Sequence, residues 1–280
     1  VLVTAFLAGS FFFFLGSLFS FFSLNHKSQS GNVAIVEVIG GIFESGPVVE
    51  ELIDLKKDKS VKAVVLRIDS PGGSVAASQE IFEAVKDLKT EKPVVVSMGS
   101  VAASGGYYIA APATRIIANE GTVTGSIGVR MEYLNIEDLL QWAKLKPVTL
   151  KSGKLKDIAS PLRPMTPEER KYLEGILKEM HEQFKKAVAE SRGLTKAQID
   201  RIADGRVFTG ADALKEKLVD ELGSQERAVK VAGELAHIKG EPEIFYPTPD
   251  KKFWETVIDG TVDRVFEKVS ARTFTRFSYD

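Results

Sequence analysis

The sequence predicts an α/β fold, a largely parallel sheet with helices packed over it. Short apolar runs rich in β-branched residues recur at 33–38, 63–68, 94–98 and 115–118. Helix-like stretches at 47–55, 74–88 and 104–111 separate them, and Gly or Pro clusters mark several junctions. Apolar strands alternating with helices argue for parallel pairing, because both faces of such a sheet are covered.

The order continues with a helix at 135–145, leading through Pro147 into Val148-Thr149-Leu150-Lys151. Thr166-Pro167-Glu168-Glu169 then reads as a capping box, with Thr as N-cap, Pro at the first helical position and Glu three residues after the cap. Leu173, Ile176, Leu177, Met180 and Phe184 fall on one face of the helix that follows, and Gly193 is its stop. Shorter helices are expected at 196–202, 211–216 and 225–236, forming a C-terminal helical extension.

The chain has 280 residues, a net charge of −1 and no cysteine. No long basic block points to nucleic acid, and disulfides, thiolate nucleophiles and Cys-ligated zinc are excluded. Residues 1–24 carry no charge and include Phe11-Phe12-Phe13-Phe14. As a helix they would extend about 36 Å, enough to cross a bilayer core. They are expected to be a transmembrane anchor rather than a cleaved leader, since no Ala-x-Ala site precedes His26-Lys27. Lys27 is the only Lys or Arg in the thirty residues after Leu24, which favours an extracytoplasmic position for the rest. A linker at 25–32, a folded domain at 33–240 and a tail of open role at 241–280 complete the expected organisation.

Ser104, in Ala102-Ala103-Ser104-Gly105-Gly106-Tyr107-Tyr108, is the candidate nucleophile. It lies among small residues after a β-rich run, a setting like the turn on which hydrolases expose a serine, although Ala102 stands where the first glycine of Gly-x-Ser-x-Gly would be. Asp69-Ser70-Pro71-Gly72-Gly73-Ser74, between a strand and a helix, suits a developing oxyanion through its main-chain N–H groups. Asp69 itself reads as a turn or capping residue. A serine needs a base, and His26, His181 and His237 all lie outside Gly-rich or strand-end contexts and read as surface residues. Lysine can serve when burial or hydrogen bonding favours its neutral form. Lys151, Lys154 and Lys156 lie in one segment, and spacing alone leaves all three open. Thr122-Val123-Thr124-Gly125-Ser126-Ile127-Gly128 offers hydroxyls to orient an amine.

Together these segments resemble the signal peptide peptidase A family, membrane-bound Ser-Lys peptidases that share their fold with the Clp protease proteolytic subunit and the crotonases. The match runs from about 33 to 223. It includes Asp69-Ser70-Pro71-Gly72-Gly73, the Ser104 segment, Thr124-Gly125-Ser126, Lys156 in Lys-Asp-Ile, Ala203-Asp204-Gly205-Arg206-Val207-Phe208-Thr209-Gly210 and Leu218-Val219-Asp220. The resemblance implies a Clp/crotonase-like fold of repeated ββα-type units over 33–240. It also implies that Ser104 attacks the peptide carbonyl while Lys156, held neutral, takes its proton. Ser126 would orient the Lys156 amine, and the N–H groups of Gly73 and Gly105 would bind the oxyanion. No cofactor or metal is implied. A single copy of each motif resembles the family's short type, which implies a homo-oligomeric ring or dome with each active site formed in one chain or completed by a neighbour. The implied substrates are remnant signal peptides and other apolar peptides.

Two other readings share the fold. A protease cutting a stomatin-like membrane protein would use the same catalytic pair, whereas a crotonase-like acyl-CoA enzyme would need neither Ser104 nor Lys156. A Clp-type protease would require a histidine between Ser104 and the later helix, and none occurs before His181.

Overall fold

The computed structural model describes residues 31–247 and a strand at 276–279. The expected anchor at 1–24 and most of the linker lie outside the described residues. Among the described residues, no helix is long and apolar enough to cross a membrane.

β1 (Val33–Ile39), α1 (Gly46–Lys57), β2 (Ala63–Ser70), the short β3 (Gly73–Ser74), α2 (Val75–Leu88), β4 (Val94–Ala103), α3 (Gly105–Ala110) and β5 (Arg115–Ala118) follow in the expected alternation. Then come β6 (Val123–Gly125), β7 (Arg130–Glu132), α4 (Glu137–Trp142), the long α5 (Pro167–Arg192) and α6 (Lys196–Ile202). β8 (Val207–Thr209), α7 (Gly210–Lys215), β9 (Glu221–Leu222), α8 (Gln225–Leu235), β10 (Ile244–Phe245) and β11 (Arg276–Tyr279) complete the order.

The main sheet runs β10-β1-β2-β4-β5-β9 with every neighbouring pair parallel. Side chains of a strand alternate between the faces. Ala34, Val36 and Val38 therefore enter the larger core with α1, α2, α3 and α5. Val33 and Ile35 join Ala63, Val65, Val95 and Ile117 under Ala228, Val231 and Ala232 of α8. Burial on both faces explains the near-continuous apolar runs in the sequence.

The sheet is mixed rather than wholly parallel. β8 pairs antiparallel with β6, and a second, three-stranded antiparallel sheet has the order β3-β11-β7. The tail beyond residue 240 thus contains two strands. β10 adds to the edge of β1, and β11 lies between β3 and β7. Neither is legible locally, because their partners lie far back in the chain. The helix expected at 135–145 contracts to α4, with no buried residue to hold a longer one.

β4 is the strand that places the site. Its first half pairs with β5, Val95 opposite Arg115, and its last residues pair with β6, Ala103 opposite Gly125. An irregularity in the β2 pairing between Ile68 and Ser70 accompanies this change of partner. Polar groups fix it: the Asp69 carboxylate accepts from the Val101 N–H at 3.0 Å, and the Thr122 hydroxyl donates to the Gly99 carbonyl at 2.8 Å. Asp69, expected in a turn or cap, is instead a residue of β2 whose carboxylate holds the neighbouring strand.

Candidate active site

Ser104 sits where β4 turns into α3, with φ 54° and ψ −118°. Only strong surroundings hold a non-glycine residue there. Its N–H donates to the Gly125 carbonyl at 2.8 Å, and its carbonyl accepts from the Tyr108 N–H at 2.8 Å. Tyr108 is wedged between Phe82 and Phe184, ring centroids 4.9 Å away on each side. Tyr107, fully buried, donates its hydroxyl to the Leu218 carbonyl at 3.0 Å, and burial raises its pKa above the ordinary phenol value. The aromatic pair in the motif thus anchors the helix behind the serine. The Ser104 hydroxyl is buried and has no hydrogen-bond partner among the described residues. A buried orphan hydroxyl is costly, and such groups are kept where chemistry uses them.

Gly105 lies against the first Gly-rich loop. A Cβ built on it would stand 3.1 Å from the Gly73 nitrogen and 2.6 Å from the Ser78 hydroxyl. A Cβ on Gly73 would meet the Ile42 carbonyl oxygen at 2.1 Å. The two expected oxyanion donors are therefore neighbours, and both positions demand glycine for space.

Ser126 follows Gly125 at the end of β6, directly beside Ser104 at the end of β4. It too has positive φ, 51°, and its N–H donates to the Arg206 carbonyl at 2.8 Å. That contact gives the Ala203-to-Gly210 motif a structural role: it holds the Ser126 turn. His181 is half-buried rather than a surface residue, its Nε2 3.1 Å from the Ile127 carbonyl. The sequence concealed this because His181 lies on the polar side of the α5 pattern. His237 is exposed beyond the end of α8, and His26 lies outside the described residues.

The three lysines separate clearly. Lys151 is 2.5 Å from Asp157, and Lys154 is 2.5 Å from Glu168. Lys156 makes no side-chain hydrogen bond or ion pair among the described residues, and it is exposed on the segment between β7 and α5. Lys151 and Lys154 are thus engaged with carboxylates. Within the single chain no hydrogen bond joins Lys156 to Ser104 or Ser126.

β11 lies between β3 and β7 as an antiparallel strand, Tyr279 opposite Gly73 and Phe277 opposite Met131. Next to Ser74 opens a cavity of about 500 Å³, lined by Phe43, Val75, Gln79, Ile176 and Met180 among others. Among the described residues, no group of His, Asp and Glu gathers as a metal site.

A strained serine whose hydroxyl has no partner among the described residues, set against close-packed glycine main chain, defines a hydrolase-like protein on an α/β frame. The frame matches the Clp protease family model over residues 34–123. The chain belongs to peptidase family S49, whose model matches residues 86–239. Three relatives with provisional designations agree. A protease of Methanocaldococcus jannaschii is 43% identical over 201 residues, covering 72% of this chain and 65% of its own length. A protease of Synechocystis is 41% identical over 233 residues, 83% of this chain and 81% of its own. A signal peptide peptidase SppA of Enterococcus faecium is 38% identical over 180 residues, 64% of this chain and 52% of its own. The chain thus spans about two thirds of the archaeal relative's length and about half of the Enterococcus one's.

Proposed function

We propose that the chain is a serine endopeptidase with a Ser104–Lys156 dyad that cleaves apolar peptides bound as an extended strand. The observation that carries this reading is the buried Ser104 hydroxyl, without a partner among the described residues, on a helix start whose Gly105 packs against Gly73 of β3, a strand that pairs with β11. Strand addition supplies main-chain hydrogen bonds, and alternate side chains enter pockets. The cavity beside Ser74, with Phe43, Val75, Ile176 and Met180 in its lining, is suited to one such side chain.

In this mechanism Ser104 Oγ attacks the peptide carbonyl while Lys156, as the amine, takes its proton and delivers it to the leaving nitrogen. The N–H groups of Gly73 and Gly105 bind the oxyanion, a contribution of about 10²–10³ in rate per donor. Water then attacks the acyl-enzyme by the same route. Ser126, beside Ser104, orients the lysine.

Lys156 reaches a Ser104 through assembly. The segment between β7 and α5 exposes Leu134, Leu139, Trp142, Leu145, Val148 and Leu150, an apolar arm suited to burial against a second copy, so a homo-oligomer is part of the proposal. Residues 1–24 anchor the chain in a bilayer with the domain at 33–240 outside the cytoplasm. Remnant signal peptides, apolar and released at that membrane, are the proposed substrates.

Cleavage of an apolar signal-peptide substrate by full-length wild type, Ser104→Ala and Lys156→Ala tests the reading. Both variants are expected to be inactive yet folded. A Lys156→Ala protein at near wild-type turnover would sink the mechanism.

A further inference from the structure

The residues around Lys156 form a connected clamp. Asp157, the next residue, accepts from Lys151 and also from Arg163 Nε at 3.0 Å. Arg163 Nη2 donates to the Asp157 main-chain carbonyl at 3.2 Å, so the guanidinium grips both the side chain and the backbone next to the lysine. Its other edge binds Glu169 through two bonds of 2.9 and 2.5 Å. Glu169 is the buried N3 residue of the capping box at the start of α5, and its Oε2 also accepts the Thr166 N–H at 2.9 Å.

The geometry points to Arg163 as a positioning residue for Lys156, a fork that locks the lysine segment onto the N-terminus of α5. This inference rests on the reading of Lys156 as the base. It holds whether the lysine serves its own Ser104 or a neighbour's, because the clamp sets the lysine relative to the chain that carries it.

Three features distinguish the clamp from an ordinary surface ion pair, which contributes little. First, it is largely shielded: the side chains of Arg163, Asp157 and Glu169 are 30%, 15% and 5% exposed. Second, all the donors point at fixed acceptors, including main chain, which a planar fork does and a lysine cannot. Third, α5 is fixed in turn to the nucleophile's helix, since Phe184 of α5 packs on Tyr108 of α3. The electrostatics agree. The Arg163 guanidinium holds the Asp157 carboxyl below the usual carboxylate range and brings Glu169 down to about 2. Lys151 and Arg163 balance Asp157 and Glu169, and Lys154 is matched by Glu168, so each charged side chain named beside Lys156 has a partner of opposite sign.

The test uses the full-length protein and a fluorogenic apolar peptide, with kcat and KM measured separately for wild type, Arg163→Met, Arg163→Lys and Lys156→Met. A misplaced base costs turnover rather than binding, so Arg163→Met is expected to lower kcat by about 10²-fold with KM within about threefold. Arg163→Lys keeps the charge but not the fork, and it should recover only part of the loss. If Arg163→Met keeps kcat within about twofold of wild type, or loses activity through KM alone, the inference is overturned. Should Arg163→Met fail to fold by circular dichroism, Glu169→Gln, which removes the charge at the far end of the clamp, takes its place. The same fall in kcat supports the inference, and an unchanged kcat overturns it. An inactive Lys156→Met beside a normal Arg163→Met overturns this inference alone, whereas a fully active Lys156→Met overturns the base assignment and this inference with it.

Discussion

Ser104 and Ser126 stand side by side at the ends of two parallel strands, tied by the hydrogen bond from the Ser104 N–H to the Gly125 carbonyl and both held at positive φ. Paired strain of this kind survives only where the surrounding structure over-determines it. Replacing Ser104 by Ala removes the attacking atom and leaves the packing of Tyr107 and Tyr108 in place, so activity should fall at least ~10³-fold with an unchanged melting temperature. Ser126→Ala should cost less, roughly 10²-fold in kcat, because it orients the base without reacting. Steady-state kinetics with thermal melts checks both.

Gly105→Ala tests the close approach of the two Gly-rich segments. The added methyl would press on Ser78 and the Gly73 nitrogen. The expected outcome is a destabilisation of about 1–3 kcal/mol together with a larger loss of kcat, read from chemical denaturation and turnover on the same sample. Gly73→Ala meets main-chain atoms of Ile42, which cannot move aside, and should express poorly.

Removal of residues 276–280 leaves the β3 and β7 edges that β11 pairs with open. If β11 competes with substrate, KM falls by a factor set by the fraction of time the strand is seated, with kcat unchanged. A rise in KM on truncation would instead assign the strand a supporting role.

Glu51 gives a pH prediction away from the site. Burial first, and the Glu37 charge second, raise its pKa from 4.5 to about 7. A carboxyl whose folded pKa is raised favours folding in its protonated form, so its stabilisation is greatest below pH 4.5 and is lost as pH rises towards about 7. Glu51→Gln should therefore raise the melting temperature at pH 8 and leave it nearly unchanged at pH 4, as followed by circular dichroism.

The alternating core and the turn at Ser104 were legible because their signals are local. Apolar runs mark β1, β2, β4 and β5, and the Thr166 capping box is present as expected, with both reciprocal bonds made and Gly193 in the left-handed conformation. Small residues around Ser104 announce the turn. The remainder depends on contacts between distant residues. β11 pairs with strands more than a hundred residues earlier, and nothing in Arg276 to Tyr279 alone shows that it lies between β3 and β7. His181 is drawn against Ile127 by the path of α5, not by its neighbours in sequence. The lysine segment reads as three similar cations. Only the fold reveals that Lys151 and Lys154 are ion-paired while Lys156, among the described residues, is not.

The exposed apolar arm supplies a test of assembly. Leu150→Asp, at a residue 94% exposed in the single chain, should leave the monomer fold intact while dissociating the proposed oligomer and abolishing turnover. Sedimentation beside activity measures both. Mixing inactive Ser104→Ala with inactive Lys156→Ala should restore part of the activity if Lys156 serves a neighbour.

The central claim is that Ser104 is the nucleophile and Lys156 its base. Intact-mass and peptide-level mass spectrometry after rapid quenching with an activated apolar peptide ester tests it most directly. Wild type is expected to carry a single acyl adduct on the peptide containing Ser104, and Ser104→Ala and Lys156→Ala none. An adduct on another residue, or peptide cleavage by Ser104→Ala at the wild-type rate, would contradict it.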